Sequence, residues 1–317
     1  MEEIYLSKLT LREKLGQLLI VKPHGLNEKY LTELNIGGIF LKNLKTRYDY
    51  ANTIAYYQQN SKIKLFVATD MEGYYNPFPF YKSPSFGEIK DDQEAYELGL
   101  EHGKVLSELN FNLNFSPVVE IKNNVWPGRT FKGLTKQEIF EKISAYIKGL
   151  HRYNIKATAK HYPGGSLVKN PHLKKFKTEI SQDDLDYFNF AMKEGVEAIM
   201  VGHPVVYGAV DSKNKQSSLS REILEPLRKK FNGLIITDAI TMLGLRISYL
   251  FYLKKIYADL IRAGNDIILD THINSNFYDI KRRLGELENQ VKQGKLSMSV
   301  VDNRVRRILE AKGYVVF

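Results

Sequence analysis

From Gly233 to Gly244 the chain reads G-L-I-I-T-D-A-I-T-M-L-G. Leu234 to Asp238, apolar or β-branched up to its last residue and without polar alternation, predict a strand buried on both faces. Such strands belong to parallel sheets covered on both sides, and this one stops at a carboxylate, Asp238. Seven further runs of the same character lie at 17–22, 37–41, 65–70, 111–120, 156–161, 198–205 and 266–270. Between them, 93–109, 136–153, 182–194, 221–231 and 249–263 place apolar residues at three- and four-residue steps, the helical pattern. Thr135 and Ser181 stand as N-caps, Ser220 precedes the helix at 221, and two more helices are predicted at 278–292 and 299–311. Eight strands alternating with helices predict an α/β fold, a (β/α)8 TIM barrel forming one domain over residues 1–317. A doubly wound sheet is the competitor, but no G-x-G-x-x-G follows the first strand.

Composition narrows the function. The 317 residues are 43% hydrophobic and 26% charged, enough for a full-sized core. No cysteine is present, which excludes disulfides, thiolate catalysis and zinc–thiolate sites. Lys plus Arg number 46 against 36 for Asp plus Glu, a net charge of +10. The lysines are dispersed rather than gathered in one tail, so the excess reads as surface charge and no nucleic-acid partner is expected. The acidic start Met1-Glu2-Glu3 and the absence of any apolar run near 18 residues predict a soluble, cytoplasmic protein without a membrane partner.

In a barrel of this kind reactive groups collect at the C-terminal strand ends. Those ends supply Asp70 and Glu72, Glu120, Lys160 and His161, His203, Asp238 and Asp270. A carboxylate-rich mouth with two histidines and one lysine suits acid/base work on a polar, uncharged substrate. The bland readings are real: Asp after a strand is often a turn residue, His203 can simply bond a loop carbonyl, and Glu120 and Asp270 read as structural caps or ion-pair partners. The pairs Tyr56-Tyr57 and Tyr74-Tyr75 read as packing more readily than as sugar platforms.

Two stretches go further. Lys156 to Ser166 reads K-A-T-A-K-H-Y-P-G-G-S and, with 233–244, resembles the signatures of glycoside hydrolase family 3, K-H-F-P-G-H-G and G-F-D-G-V-I-x-[ST]-D-[DA]-x-x-M. Leu11 to Leu19, Phe66 to Gly73, Asn114 to Val118, Gly128 to Phe131, Ile199 to Tyr207, Ala263 to Asp266 and Val305 to Leu309 extend the likeness in order along the chain. The resemblance implies a retaining β-N-acetylhexosaminidase that releases terminal β-linked N-acetylglucosamine, with peptidoglycan fragments as a source. It implies Asp238 as nucleophile, His172 as acid/base, and Asp70, Arg129, Lys160, His161 and His203 around the sugar. No metal or cofactor is implied, and a monomer is expected.

The pattern also breaks. The family's D-S-H is Asn170-Pro171-His172, the second His of its lysine motif is Gly165, and its E-G-G-R-V is Glu72-Gly73-Tyr74-Tyr75-Asn76. An amide in place of the orienting carboxylate weakens the imidazole as a proton donor. A β-glucosidase of the same family and a weakened sugar-binding barrel are the alternatives.

Overall fold

The computed structural model describes residues 2–23, 28–170, 175–249, 253–271 and 277–317. Eight parallel strands form the sheet: β1 (Leu19–Val21), β2 (Gly38–Phe40), β3 (Phe66–Thr69), β4 (Leu113–Asn114), β5 (Lys156–Tyr162), β6 (Ala198–Val201), β7 (Leu234–Thr237) and β8 (Ile268–Asp270). Each pairs with its neighbour in chain order, β8 pairs back onto β1, and a parallel bridge from Ile236 to Ile267 joins β7 to β8. The sheet is therefore a closed (β/α)8 barrel. Apart from Lys156 at the start of β5, every residue of these strands is buried, as the unbroken apolar runs require.

Nine α-helices of at least seven residues lie around it among the described residues: α1 (Leu11–Gln17), α2 (Arg47–Gln59), α3 (Asp92–Glu108), α4 (Lys136–His151), α5 (Gln182–Lys193), α6 (Arg221–Lys230), α7 (Ile256–Ala263), α8 (Phe277–Lys292) and α9 (Met298–Ala311). Thr135 and Ser181 cap α4 and α5 as expected, and Thr10 and Thr46 cap α1 and α2 through capping boxes. Ser220 instead donates its hydroxyl to Glu222.

Three predicted bounds change. The apolar run at 111–120 pairs as a strand only over Leu113–Asn114, because Pro117 has no N–H to give the ladder. The run at 198–205 splits at Gly202-His203-Pro204. Its second part, Val205–Gly208, leaves the barrel to pair with Lys177–Ile180. The helix expected from 249 begins at Ile256. Helix α2 was not among the predicted helices.

On the face away from the strands' C-terminal ends, Asp266 is fully buried and anchors a cationic cluster. It accepts from the Ile235 N–H at 2.9 Å, from Arg307 Nε and Nη2 at 3.1 and 2.9 Å, and from Arg228. Arg304 beside it donates to the carbonyls of Asn265, Val300 and Ile261. On the same face Glu3–Ile4 pairs in parallel with Val315–Val316.

Candidate active site

The strands' C-terminal ends surround a cavity of about 640 Å³, a volume that suits a small ligand. Asp70 follows β3, Arg129 sits on the turn Pro127–Arg129 after β4, Lys160 and His161 close β5, and Asp238 is the first residue beyond β7; all five line the cavity. The turn bearing Asp70 and Glu72 is clamped between them. The Met71 N–H donates to Asn114 Oδ1 at 2.9 Å, and Asn114 Nδ2 returns a bond to the Met71 carbonyl at 3.0 Å.

Lys160 Nζ lies 2.7 Å from Asp70 Oδ1 and 2.5 Å from Glu72 Oε1, while Arg129 grips Glu72 with Nε and Nη2 at 2.7 and 2.8 Å. Glu72 is fully buried and serves both cations from behind the wall. Burial pulls the Lys160 ammonium down, but the charges of Asp70 and Glu72 outweigh it and the pKa is raised; the same contest with Glu72 raises Arg129. Both cations are therefore permanent and fixed, and their remaining donors are available to hydroxyl oxygens.

His161 shares a proton through Nδ1 with Glu120 Oε1 at 2.7 Å and sets Nε2 4.0 Å from Asp238 Oδ2. The other oxygen of Asp238, Oδ1, accepts the Ala239 N–H at 2.7 Å. Glu120 also accepts from the backbone N–H of Leu167 at 3.3 Å, tying β5 to the turn that begins the following loop. Burial pushes its carboxyl up to about 8, against the lowering effect of those backbone bonds.

A folded-state pKa above the unfolded value of about 4.3 means that Glu120 favours folding most in acid and loses that contribution as pH rises through 8. Glu120→Gln should flatten this slope in urea unfolding between pH 5 and 9. It should also lower kcat/KM by about 10- to 100-fold through the loss of the carboxyl that orients His161. A purely structural role would leave kcat/KM unchanged at any pH where the variant is folded.

His203 is buried away from the cavity lining. Its Nδ1 meets Ser218 Oγ at 2.8 Å and its Nε2 the Ala239 carbonyl at 3.1 Å, so it braces the turn after Asp238 from behind. Asn170 is half-buried in the loop after β5, and His172 lies outside the described residues. At Gly165 a Cβ would sit 2.5 Å from Thr178 Cγ2 on a backbone with φ of +80°, so a histidine there, as in the family pattern, would not fit. Asp270 turns away from the cavity to Arg283 at 2.6 Å and Tyr257 at 2.7 Å, a structural partnership. Tyr57 is buried packing, whereas Tyr75 joins Trp126 in lining the cavity, with the Arg129 guanidinium over both rings. Among the described residues no group of three His, Asp or Glu is arranged to hold a metal, and no helix is long and apolar enough to cross a membrane.

Strand-end position singled out Asp70, Lys160, His161 and Asp238, the family resemblance added Arg129, and Glu72 and Glu120 were named at the strand ends but not placed among the site residues. What the sequence did not show was their partners, Lys160 and Arg129 for Glu72 and, 41 positions away, His161 for Glu120.

Comparison with known proteins agrees with this geometry. The family model described as the glycosyl hydrolase family 3 N-terminal domain matches residues 10–311. A beta-hexosaminidase of Tolumonas auensis is 31% identical over 74% of this chain and 75% of its own. A beta-N-acetylglucosaminidase/beta-glucosidase of Cellulomonas fimi is 25% identical over 95% of this chain, which spans 57% of that protein. The structure of a family 3 beta-N-acetylglucosaminidase from Paenibacillus superimposes with a TM-score of 0.83 at 26% identity, covering 96% of this chain and 62% of that one. A shared barrel and a family match over almost the whole length lead to one conclusion: the chain belongs to glycosyl hydrolase family 3.

Proposed function

We propose that this chain is a retaining glycoside hydrolase that removes terminal β-linked N-acetylglucosamine. The observation that carries the reading is Asp238, a carboxylate lining the cavity with one oxygen anchored by the Ala239 N–H and the other facing His161. A retaining enzyme needs such a carboxylate beneath the anomeric carbon. In the first step Asp238 bonds to that carbon as the glycosidic bond breaks, and the leaving oxygen takes a proton from His172. In the second, water gives a proton back to His172 and displaces Asp238 with net retention. The role of His172, with Asn170 as its neutral partner, is inferred from the family resemblance. Lys160, Asp70, Arg129 and His161 would hold the sugar hydroxyls with charged, directional donors and acceptors.

The relatives named beta-hexosaminidase support the glycone, and the double name of the Cellulomonas fimi relative favours β-glucosides as the second reading. Cytoplasmic turnover of cell-wall fragments by a single barrel domain acting as a monomer is the setting we infer. The net charge of +10 suits anionic fragments. Aryl β-glycosides test the reading: the N-acetylglucosaminide should be cleaved with kcat/KM at least about tenfold above the glucoside. A 2-fluoro glycosyl donor should label Asp238. A reversed preference would make the protein a β-glucosidase, and neither turnover nor label would leave a sugar-binding barrel.

A further inference from the structure

Around the rim the strand ends run Asp238 after β7, Thr271 after β8, Lys22 after β1, Lys42 just beyond β2 and Asp70 after β3, and all five residues line the one cavity. Arg246, on the short helix Leu243–Arg246 that follows Asp238, lines it too. The catalytic reading above accounts for Asp70, Arg129, Lys160, His161 and Asp238. It leaves Lys22, Lys42 and Arg246 unused.

These three differ from the site's other cations in one respect. Lys160 and Arg129 are neutralised by Asp70 and Glu72, whereas among the described residues no carboxylate pairs with Lys22, Lys42 or Arg246. Lys42 rests over the Phe40 ring, and the Arg246 Nε is buried without a hydrogen-bond partner. Burial, and secondarily the charge of Lys42, lower the Lys22 pKa, so the two ammonium groups repel across a partly desolvated wall. Such an arrangement has a standing cost that an anion would remove.

The charge balance identifies the anion. Among the described residues five cations line the cavity (Lys22, Lys42, Arg129, Lys160 and Arg246) against three carboxylates, Asp70 and Asp238 on the wall and Glu72 behind it, which leaves two positive charges. His161 and Glu120 balance each other. A carboxylate would halve the excess; a phosphate monoester, with a charge of about −1.5 to −2 at pH 7, matches it. Lysine ammonium groups and an arginine edge are also suitable donors for its oxygens.

We propose that Lys22, Lys42 and Arg246 form a phosphate subsite within the sugar cavity, so that the substrate is a glycoside carrying a phosphate monoester. The inference rests on the reading of the cavity as a sugar site and adds the charged group to it. Thr241 and Thr271, whose hydroxyls lie 3.2 Å apart on the same wall, would supply neutral donors beside the cations.

Calorimetric titration tests it on the intact protein. N-acetylglucosamine 1-phosphate or 6-phosphate should bind at least about tenfold more tightly than N-acetylglucosamine. Muramic acid, which carries a carboxylate, should gain less. The phosphate advantage should shrink as ionic strength rises from about 0.05 to 0.5 M, a measurement that needs no variant. It should also be lost in Lys22→Met/Lys42→Met. Equal binding of the parent sugar and both phosphates, or muramic acid binding as tightly as the better phosphate, would overturn the subsite. Inorganic phosphate keeps this separate from the choice of glycone: it should bind the wild type and not the double variant even if no N-acetylglucosaminide is hydrolysed. Failure of hydrolysis alone would count against the proposed function and leave the subsite standing.

Discussion

Asp238→Asn is expected to lower kcat for aryl N-acetyl-β-glucosaminide by at least about 10⁴-fold, while the protein stays folded with an unchanged far-ultraviolet spectrum. The amide keeps an oxygen for the Ala239 N–H, so the turn after β7 retains its bond. It loses the charge and the nucleophilicity that the covalent step requires. The surrounding donors should still hold the sugar, so the loss should fall on kcat far more than on KM. Steady-state rates with substrate-analogue affinities measure both sides of that split. A variant within tenfold of the wild type would show that Asp238 is not the group that attacks.

The largest effect on stability should come from the opposite end of the barrel. Asp266→Ala is expected to cost about 3–5 kcal/mol, read as a shift in the midpoint of urea unfolding. The carboxylate has no exposed surface, and its removal strands Arg228 and Arg307 next to Arg304 and leaves the Ile235 N–H without its side-chain acceptor. An exposed pair is the control: Glu225→Ala, which releases Arg221 on α6, should change stability by less than about 1 kcal/mol. Equal effects at the two positions would mean that the buried cluster contributes nothing special.

The barrel was legible because its strands are covered on both faces and so appear as uninterrupted apolar runs. The same rule overshot at 111–120, where the apolar residues continue inward as an irregular segment after Asn114. Helix α2 escaped notice for the opposite reason. Only Tyr50, Ile54 and Tyr57 face inward, and Tyr48 and Tyr56 on the exposed side blur the helical period. Its sign was the capping box of Thr46 and Asp49. At the site, position along the barrel picked out the residues that touch the cavity. Glu72 and Glu120 share that strand-end position but act from behind the wall, which position alone does not reveal. Their importance comes from which cation or imidazole the closed barrel brings against them, and that is a property of three dimensions.

The short parallel pairing of Glu3–Ile4 with Val315–Val316 carries a topological consequence. Leu6 donates to the Phe317 carbonyl at 2.9 Å, and Tyr5 stacks on Phe317 with ring centres 5.1 Å apart. Residues 3–6 and 315–317 are thus clasped together on the side of the barrel remote from the cavity. Which peptide bond happens to be open matters little to a barrel of this kind. A chain joined there and reopened at the exposed Gly294 turn between α8 and α9 would keep every strand neighbour it has now.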